Sequence, residues 1–265
     1  MHFINRDGFE EAPLAKLTEF NNNSKEAWAI YNTARINKTK PLPAKPSSSW
    51  NHNDIRYPLR KLFLKNCGYC GVHTDIGNDA EVDHFFPTSL DGSASHVFNW
   101  NNYIWSCPSC NGQKGSKYPF LNPTLEDEVK HIYFHSPDGR YLLSITSPDE
   151  IISKYNLTQQ HSDLNSKNKP DNRKYIFRDV NRRLEEIEID HMMYTLESSI
   201  NGEDSKEALV KRESLENKKD EFFDLIRNGN HLFLIKFTVD DFIVKNEGFP
   251  YTFDEFLEGS GYLAD

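Results

Sequence analysis

The sequence lacks the apolar segments that membrane insertion and secretion require. No stretch approaches the roughly 18 consecutive apolar residues of a membrane-spanning helix. The opening residues include acidic side chains where a secretory signal needs an apolar run, and the chain has no internal repeat. We therefore expect a folded cytoplasmic protein that does not associate with a membrane.

An excess of positive charge is also missing, because 31 Lys and Arg stand against 40 Asp and Glu, a formal net charge of −9. Neutralisation of phosphates by Lys and Arg supplies most sequence-independent affinity for DNA. The composition therefore argues against broad nucleic-acid binding, so any nucleic-acid site must be local. With 265 residues, 37% of them hydrophobic, the chain is long enough to bury a real core.

Cysteine is scarce, and all four cysteines fall in two pairs, Cys67-Gly-Tyr-Cys70 and Cys107-Pro-Ser-Cys110. In a reducing compartment, paired CxxC turns indicate metal binding rather than disulfides. Two such turns supply four thiolates, which close a tetrahedral zinc site without water. A redox dithiol needs a single CxxC, usually beside a βαβ pattern that this sequence does not show. We expect the four cysteines to bind one structural Zn²⁺, with redox or unliganded thiols as the alternative.

The sequence pattern divides the chain into three expected parts. Residues 1–50 combine a short helix, from Ser24 to about Ile36, with an arm rich in Pro and Ser. Residues 51–125 hold both cysteine pairs, a helix capped by Asp54, and strands near residues 80–86 and 103–105, with a helix near residues 112–115. Residues 126–265 form a mainly helical region for partner binding or assembly.

The third part has its own local signals. Ser136-Pro-Asp-Gly139 lies between two apolar runs and predicts a β-hairpin. Ser147-Pro-Asp-Glu predicts the start of a short helix. Apolar spacing predicts two amphipathic helices, over residues 172–200 and 205–227, joined as a helical hairpin. The tail from Leu232 mixes β-prone and helix-prone residues and has no assignment.

The most informative residues lie between and just after the cysteine pairs, in Glu81-Val-Asp-His-Phe-Phe-Pro87 and Asn102 to Lys114. Cleavage of a phosphodiester needs a nucleophilic water, a charge clamp on the phosphate oxygens and help for the leaving alkoxide. A neutral histidine, His84, is suited to deprotonate the water. Asp83 and Asn111 offer hard oxygen ligands, which favour Mg²⁺ or Mn²⁺.

This arrangement resembles the HNH endonuclease family, whose motif combines an acid–histidine pair, an asparagine before the second CxxC, and an asparagine or histidine after it with a lysine three residues on. The resemblance implies an α+β protein with a ββα-metal, treble-clef-like nuclease module and zinc knuckles. It also implies a metal that bridges a scissile oxygen and the leaving 3′ oxygen, and products with a 5′ phosphate. The matched positions are Asp83 and Asn111 as metal ligands, His84 as catalytic base, Asn102 as a brace that orients His84, Lys114 as a phosphate contact, and the four cysteines.

Adjacent residues on a regular strand face opposite sides, so Asp83 and His84 share one groove only if the backbone twists or bulges there. The resemblance implies such a distortion. Within the module, His73 and His96 are interpreted as exposed loop residues, with extra metal ligands or phosphate contacts as the alternative. The basic residues Arg178, Arg182 and Arg183 form a candidate patch for binding nucleic acid.

Flanking residues resemble the PtuB group of HNH effectors, found in Septu and in some retron anti-phage systems. The shared features are the MHFINR start, the approach Phe98-Asn-Trp-Asn-Asn-Tyr-Ile-Trp105, and Phe120-Leu-Asn-Pro123 followed by Asp138-Gly139. Members of this group work with an ATPase partner, PtuA, which would account for the acidic charge. The resemblance implies an ATPase partner and a nucleic-acid substrate, expected to be DNA.

Two other functions stay open. A restriction or homing nuclease would recognise sequence unaided, but it needs basic, base-reading surfaces that this composition does not show. A zinc-stabilised adaptor would keep the motif without turnover, since an Asp-His dipeptide alone is usually a surface pair or a hydrogen-bonded core pair.

Overall fold

The computed structural model describes residues 1–75, 80–166 and 168–262. The chain forms two compact units: residues 1–135 with 140–169, and residues 136–139 with 170–265. Within the described residues, no helix is both long enough and apolar enough to cross a bilayer. The divisions expected at residues 50 and 125 stay predictions.

The first unit is a mixed helix and strand assembly built from short elements. Short 3-10 turns at Ser49–Asn51, Thr88–Leu90 and Trp100–Asn102 connect them. The helices are α1 (Leu14–Ile36), α2 (Asn53–Leu62), α3 (Pro108–Lys114), α4 (Glu126–Val129) and α5 (Asp149–Gln160), and the strands are β1 (Glu81–His84), β2 (Tyr103–Ser106), β3 (Ile132–His135) and β4 (Arg140–Leu143).

Strands β1 and β2 pair antiparallel and are followed by α3, which gives the ββα order that the sequence predicts. The register sets Asp83 opposite Ile104 and His84 opposite Tyr103. Every residue of β2 is buried, because α2 packs on this hairpin. The fold therefore holds the candidate site residues on a fixed, buried strand pair.

The second hairpin, β3–β4, lies where the sequence predicts it, with Ile132 opposite Leu143. Helix α5 begins at Asp149, and its N-cap is Pro148 rather than the predicted Ser147. The side chain of Ser147 instead donates to the carbonyl of Ser144. The predicted helix is confirmed, with its start one residue later.

The long secondary-structure elements described in the second unit are all helices. Helices α6 (Lys169–Asn201) and α7 (Lys206–Arg227) form the predicted hairpin, since Lys218 lies 3.0 Å from Glu186 and Ser214 donates to Asp190 at 2.7 Å. The unassigned tail contains two further helices, and a capping box of Thr252 with Glu255 begins the last one. The helices are α6 (Lys169–Asn201), α7 (Lys206–Arg227), α8 (Leu232–Lys245) and α9 (Phe253–Ser260).

Helix α1 is longer than predicted, because it begins at Leu14 rather than near Ser24. Leu17 and Trp28 are buried, so packing along the whole helix holds its first turns. At α2 the N-cap is His52, whose side chain accepts from the backbone N–H of Asp54, rather than Asp54 itself. Both differences concern where a helix begins, and the predicted helix itself is present in each case.

Candidate active site and zinc site

The four cysteines meet in one buried cluster, with all Sγ atoms within 4.8 Å of one another. Cys67 and Cys70 lie on the turn after α2, where Gly71 has a φ of 75° and donates its N–H to Cys67 O. Cys107 is the N-cap of α3 and Cys110 lies within that helix. The Cys70 and Cys107 Sγ atoms are 3.9 Å apart. Tetrahedral zinc, with sulfur at about 2.3 Å, sets its sulfur ligands about 3.8 Å apart, so the cluster fits Zn²⁺.

The electrostatics of these thiols also fit a cation. Burial by itself raises the pKa of Cys67, but hydrogen bonds with the other three cysteines outweigh it and hold this pKa well below its usual range. Hydrogen bonds with Cys107 raise the pKa of Cys70 and of Cys110. Four buried thiols at this spacing cannot all ionise unless a cation shares the site, and a divalent metal supplies that charge.

The carboxylate of Asp83 is buried and fully engaged by two side chains. Tyr69 donates its hydroxyl hydrogen to Oδ2 at 2.6 Å, and the Lys114 ammonium lies 3.1 Å from Oδ1. Burial raises the pKa of Asp83, while the charge of Lys114 and the Tyr69 hydrogen bond oppose that rise. Burial also raises the pKa of Tyr69 well above its usual value, so this phenol stays a neutral donor.

Lys114 is the residue whose position differs most from the expected role. It is fully buried, and besides Asp83 it donates to the carbonyl oxygen of His84 at 2.8 Å. The ring of Phe120 lies 6.0 Å from its ammonium nitrogen. The ammonium is therefore not accessible to a substrate phosphate in this structure, and it binds the two site residues of β1 instead.

The imidazole of His84 lies between two aromatic rings, with centroids 4.6 Å from Trp50 and 5.1 Å from Tyr103, both edge-on. Its Nε2 is 2.9 Å from the carbonyl oxygen of Val97, which also accepts from the Tyr103 hydroxyl at 2.7 Å. A carbonyl can only accept, so Nε2 carries the hydrogen and Nδ1 of the neutral ring carries the lone pair.

Burial lowers the pKa of His84 to about 4, so the ring is neutral at physiological pH. Nδ1 makes no hydrogen bond to any residue that the structure describes. The side chain as a whole is 7% exposed. The neutral tautomer therefore presents one unoccupied proton acceptor.

Asn102 ties together two chain segments around His84. Its Oδ1 accepts from the backbone N–H of Phe86 at 2.6 Å, and its Nδ2 donates to the carbonyls of Phe86 at 3.1 Å and His96 at 3.0 Å. The backbone of Phe85 donates to Asn102 O at 2.7 Å. The backbone that follows His84 is thereby fixed to the turn before β2.

Asn111 lies on α3, beside the same strand. Its Nδ2 donates to Oε2 of Glu81 at 2.5 Å, which leaves its Oδ1 as the free acceptor of the amide. Asp83, His84 and Asn111 all line one cavity of about 410 Å³. The structure therefore brings these three predicted residues to a common space, although the Asp83 carboxylate and the His84 imidazole make their hydrogen bonds to different partners.

Sequence reasoning missed several residues of this environment. Tyr69 donates a hydrogen bond to Asp83, and Glu81 accepts one from Asn111. The sequence signal that could have identified Tyr69 and Glu81 is their position beside motif residues. Trp50 and Arg35 line the cavity from outside the motif, and no local pattern marked them. Neither His73 nor His96 lines this cavity: His73 bridges Asn66, and His96 is half-buried against Phe86.

Residues 67–117 match the model of the HNH endonuclease family. This stretch is an HNH domain. Septu protein PtuB from Bacillus thuringiensis is 35% identical over 91 residues, which cover 32% of this chain and 35% of that protein. Septu protein PtuB from Bacillus mycoides (strain KBAB4) is 22% identical over 159 residues, 48% of each chain. The alignments therefore span less than half the length of these relatives, and no solved structure matches the chain significantly.

The HNH domain contains donors that suit a second, harder metal ion. Asp83 and Asn111 are among the residues that border one cavity, and carboxylate and amide oxygens prefer Mg²⁺ or Mn²⁺ to zinc. Each oxygen of a carboxylate has two lone pairs, so the bonds from Tyr69 and Lys114 leave Asp83 able to bind a cation. These residues fit a catalytic metal of that class.

Proposed function

We propose that this chain is a metal-dependent HNH endonuclease that hydrolyses phosphodiester bonds of DNA as an effector of anti-phage defence. One observation carries the proposal. His84 is a neutral imidazole with an unoccupied Nδ1, at a cavity that it shares with the oxygen donors Asp83 and Asn111. The match of residues 67–117 to the HNH family and the likeness to Septu proteins support the same function.

In the proposed reaction, Nδ1 of His84 takes a proton from the attacking water. The Val97 carbonyl holds Nε2–H, so the ring cannot present the wrong tautomer to that water. Asp83 and Asn111 would hold the metal ion, which would supply positive charge to stabilise the developing negative charge when bound. Asn102 keeps the backbone after His84 in place. Lys114 orients the Asp83 carboxylate in place of the phosphate contact expected from the sequence.

An ATPase partner forms part of the proposal. The relatives carry the name Septu, and the net charge of −9 gives this chain little affinity for nucleic acid by itself. The basic patch expected on α6 is partly compensated, because Arg182 pairs with Asp179 and Glu186, and Arg183 also pairs with Asp179. We therefore expect weak cleavage by the chain alone and stronger cleavage with the ATPase. Robust cleavage alone at physiological salt would argue against a partner requirement.

The test is the His84→Gln variant, because the Gln amide can still donate to Val97 but offers no basic nitrogen. Nicking of supercoiled plasmid with Mg²⁺ or Mn²⁺ should fall by two to four orders of magnitude. Zinc content and thermal unfolding should stay close to the wild type, which separates lost chemistry from lost fold. Undiminished nicking would remove His84 as the base. A wild-type protein that cleaves nothing, with partner and metal present, would instead favour the zinc-stabilised adaptor.

A further inference from the structure

We propose that Arg35, Thr88, Ser89 and Ser116 form a binding subsite for a backbone phosphate of the nucleic acid. The proposal rests on the function proposed above and adds residues that the HNH motif does not contain. All four line the cavity of about 410 Å³ that His84 and Asn111 also line. Three of them lie within or close to the HNH domain, and Arg35 comes from α1, outside it.

Arg35 supplies positive charge to the cavity. A site for a polyanion needs a cation, and the expected one, Lys114, is buried against Asp83. Arg35 is the cationic side chain among the residues that line the cavity, and it is exposed. Its guanidinium carbon lies 5.7 Å from the ring centroid of Tyr31, a contact that steadies the side chain without cancelling its charge. Among the described residues, no carboxylate pairs with it.

Three hydroxyl side chains supply hydrogen-bond donors to the same cavity. Within the part of the chain that the structure describes, the hydroxyls of Thr88, Ser89 and Ser116 have no hydrogen-bond partner in the protein. Each hydroxyl is therefore free to donate to an anionic oxygen. A planar guanidinium with several nearby hydroxyls is the donor set that proteins use for phosphate, because it supplies both charge and directed hydrogen bonds.

Hydrogen bonds hold the helix that carries Arg35 in a fixed position. The end of α1 is fastened to the segment that follows the 3-10 turn of Thr88 and Ser89. Asn32 donates through Nδ2 to the carbonyl of Asp91 at 3.0 Å, and Thr33 donates through Oγ1 to the carbonyl of Gly92 at 3.0 Å. These bonds fix the position of Arg35 relative to the two hydroxyl side chains of the turn. The guanidinium therefore reaches the cavity from a fixed helix rather than from a mobile loop.

Substrate positioning follows from this arrangement. A phosphodiester bound by Arg35 and the hydroxyls would lie in the same cavity as Nδ1 of His84 and the oxygen donors. Precise placement of the reacting groups contributes strongly to phosphoryl-transfer catalysis. Because one phosphate contact carries no base information, the subsite should act on every sequence alike.

The experiment compares Arg35→Ala, Arg35→Lys and Lys25→Ala, each as the zinc-loaded full chain. Lys25→Ala is the matched control, since it removes one exposed positive charge from the same helix, about 15 Å along its axis. Nicking of supercoiled plasmid gives kcat/KM. Binding of a short DNA duplex to the same variants in a His84→Gln background, over a range of salt concentrations, gives affinity without turnover.

Arg35→Ala should lower kcat/KM by roughly ten- to hundredfold and flatten the slope of log affinity against log salt by about one phosphate contact. Arg35→Lys should recover part of both, and Lys25→Ala should match the wild type. If the wild type binds and nicks while Arg35→Ala does the same, this subsite is overturned and the nuclease function stands. If Lys25→Ala is as damaged as Arg35→Ala, general charge explains the loss and the subsite is overturned. If the wild type neither binds nor nicks with Mg²⁺ and the ATPase partner present, both proposals fail.

Discussion

The ammonium nitrogen of Lys114 lies 3.0 Å from Oδ2 of Asp83, with both side chains almost entirely buried. A buried charge is stable only when a partner compensates it, so each of these residues depends on the other. The pair joins the last residue of α3 to the third residue of β1. It therefore fixes the position of a proposed metal ligand before any metal binds.

Removal of one member of this pair should be costly. Lys114→Met keeps the chain length but leaves the Asp83 carboxylate buried without its cation, which costs about 3–5 kcal/mol of unfolding free energy. Urea unfolding at neutral pH measures this loss. The double variant with Asp83→Asn should recover a large part of it, because no charge is then left alone. A single variant as stable as the wild type would show that the ion pair is not formed.

The buried imidazole of His84 predicts a pH-dependent stability. Burial lowers its pKa from 6.5 to about 4, so the folded protein binds its proton less readily than the unfolded chain does. The contribution is therefore fully present above pH 6.5 and is lost as the pH falls towards 4. Between pH 7 and pH 5 the loss should be about 2 kcal/mol.

The control for this effect is His84→Gln, which keeps the donor to Val97 but cannot be protonated. Urea unfolding of both zinc-loaded proteins at pH 7 and pH 5 isolates the histidine, because acid effects on the thiolates are shared. The wild type should lose stability relative to the variant. Equal losses would mean that His84 titrates normally in the folded protein.

The cysteine cluster predicts about one zinc ion per chain in protein purified without added metal. Elemental analysis by mass spectrometry measures it. Cys110→Ser, or a strong chelator, should remove the zinc and unfold the region around the cluster, because this binding energy is also folding energy. Near-ultraviolet circular dichroism reports the loss through the buried Tyr69 and Trp105. Protein that is folded and free of zinc would refute the site.

The glycine inside the first cysteine pair is required by packing. A Cβ on Gly68 would lie 2.6 Å from Cε1 of Phe63 and 2.9 Å from Cγ2 of Ile104. Gly68→Ala should therefore destabilise the protein by about 1–3 kcal/mol in urea unfolding. Gly112→Ala is the matched control, because a Cβ there meets nothing within 4 Å. Equal stability of the two variants would contradict the packing explanation.

Much of this fold followed from local patterns in the sequence. The strands around residues 81–84 and 103–106, the second hairpin and the α6–α7 hairpin lie where alternation and helical spacing predict them. The start of α1 was hidden because Asn21-Asn-Asn23 and Ser24 favour caps and turns. Burial of Leu17 and Trp28 overrides that preference.

The part of the site that is defined by residue spacing along the chain was predictable from the sequence. The cysteine pairs predicted the four-cysteine cluster. Of the motif residues, Asp83, His84 and Asn111 line one cavity, whereas Asn102 and Lys114 do not. The burial of Lys114 was not predictable, because its partner Asp83 lies 31 residues away in the sequence. Arg35 was not predictable either, because it is far from the motif in the sequence. It reaches the cavity through the packing of α1 against residues 88–92.

The turn that supports His84 depends on the amide of Asn102. One side chain accepts from the backbone of Phe86 and donates to the carbonyls of Phe86 and His96. Deamidation would put an aspartate there, which still accepts but has no hydrogen to donate. Two carbonyl oxygens would then face a negative charge at hydrogen-bonding distance, so ageing at this one position would loosen the turn that supports His84.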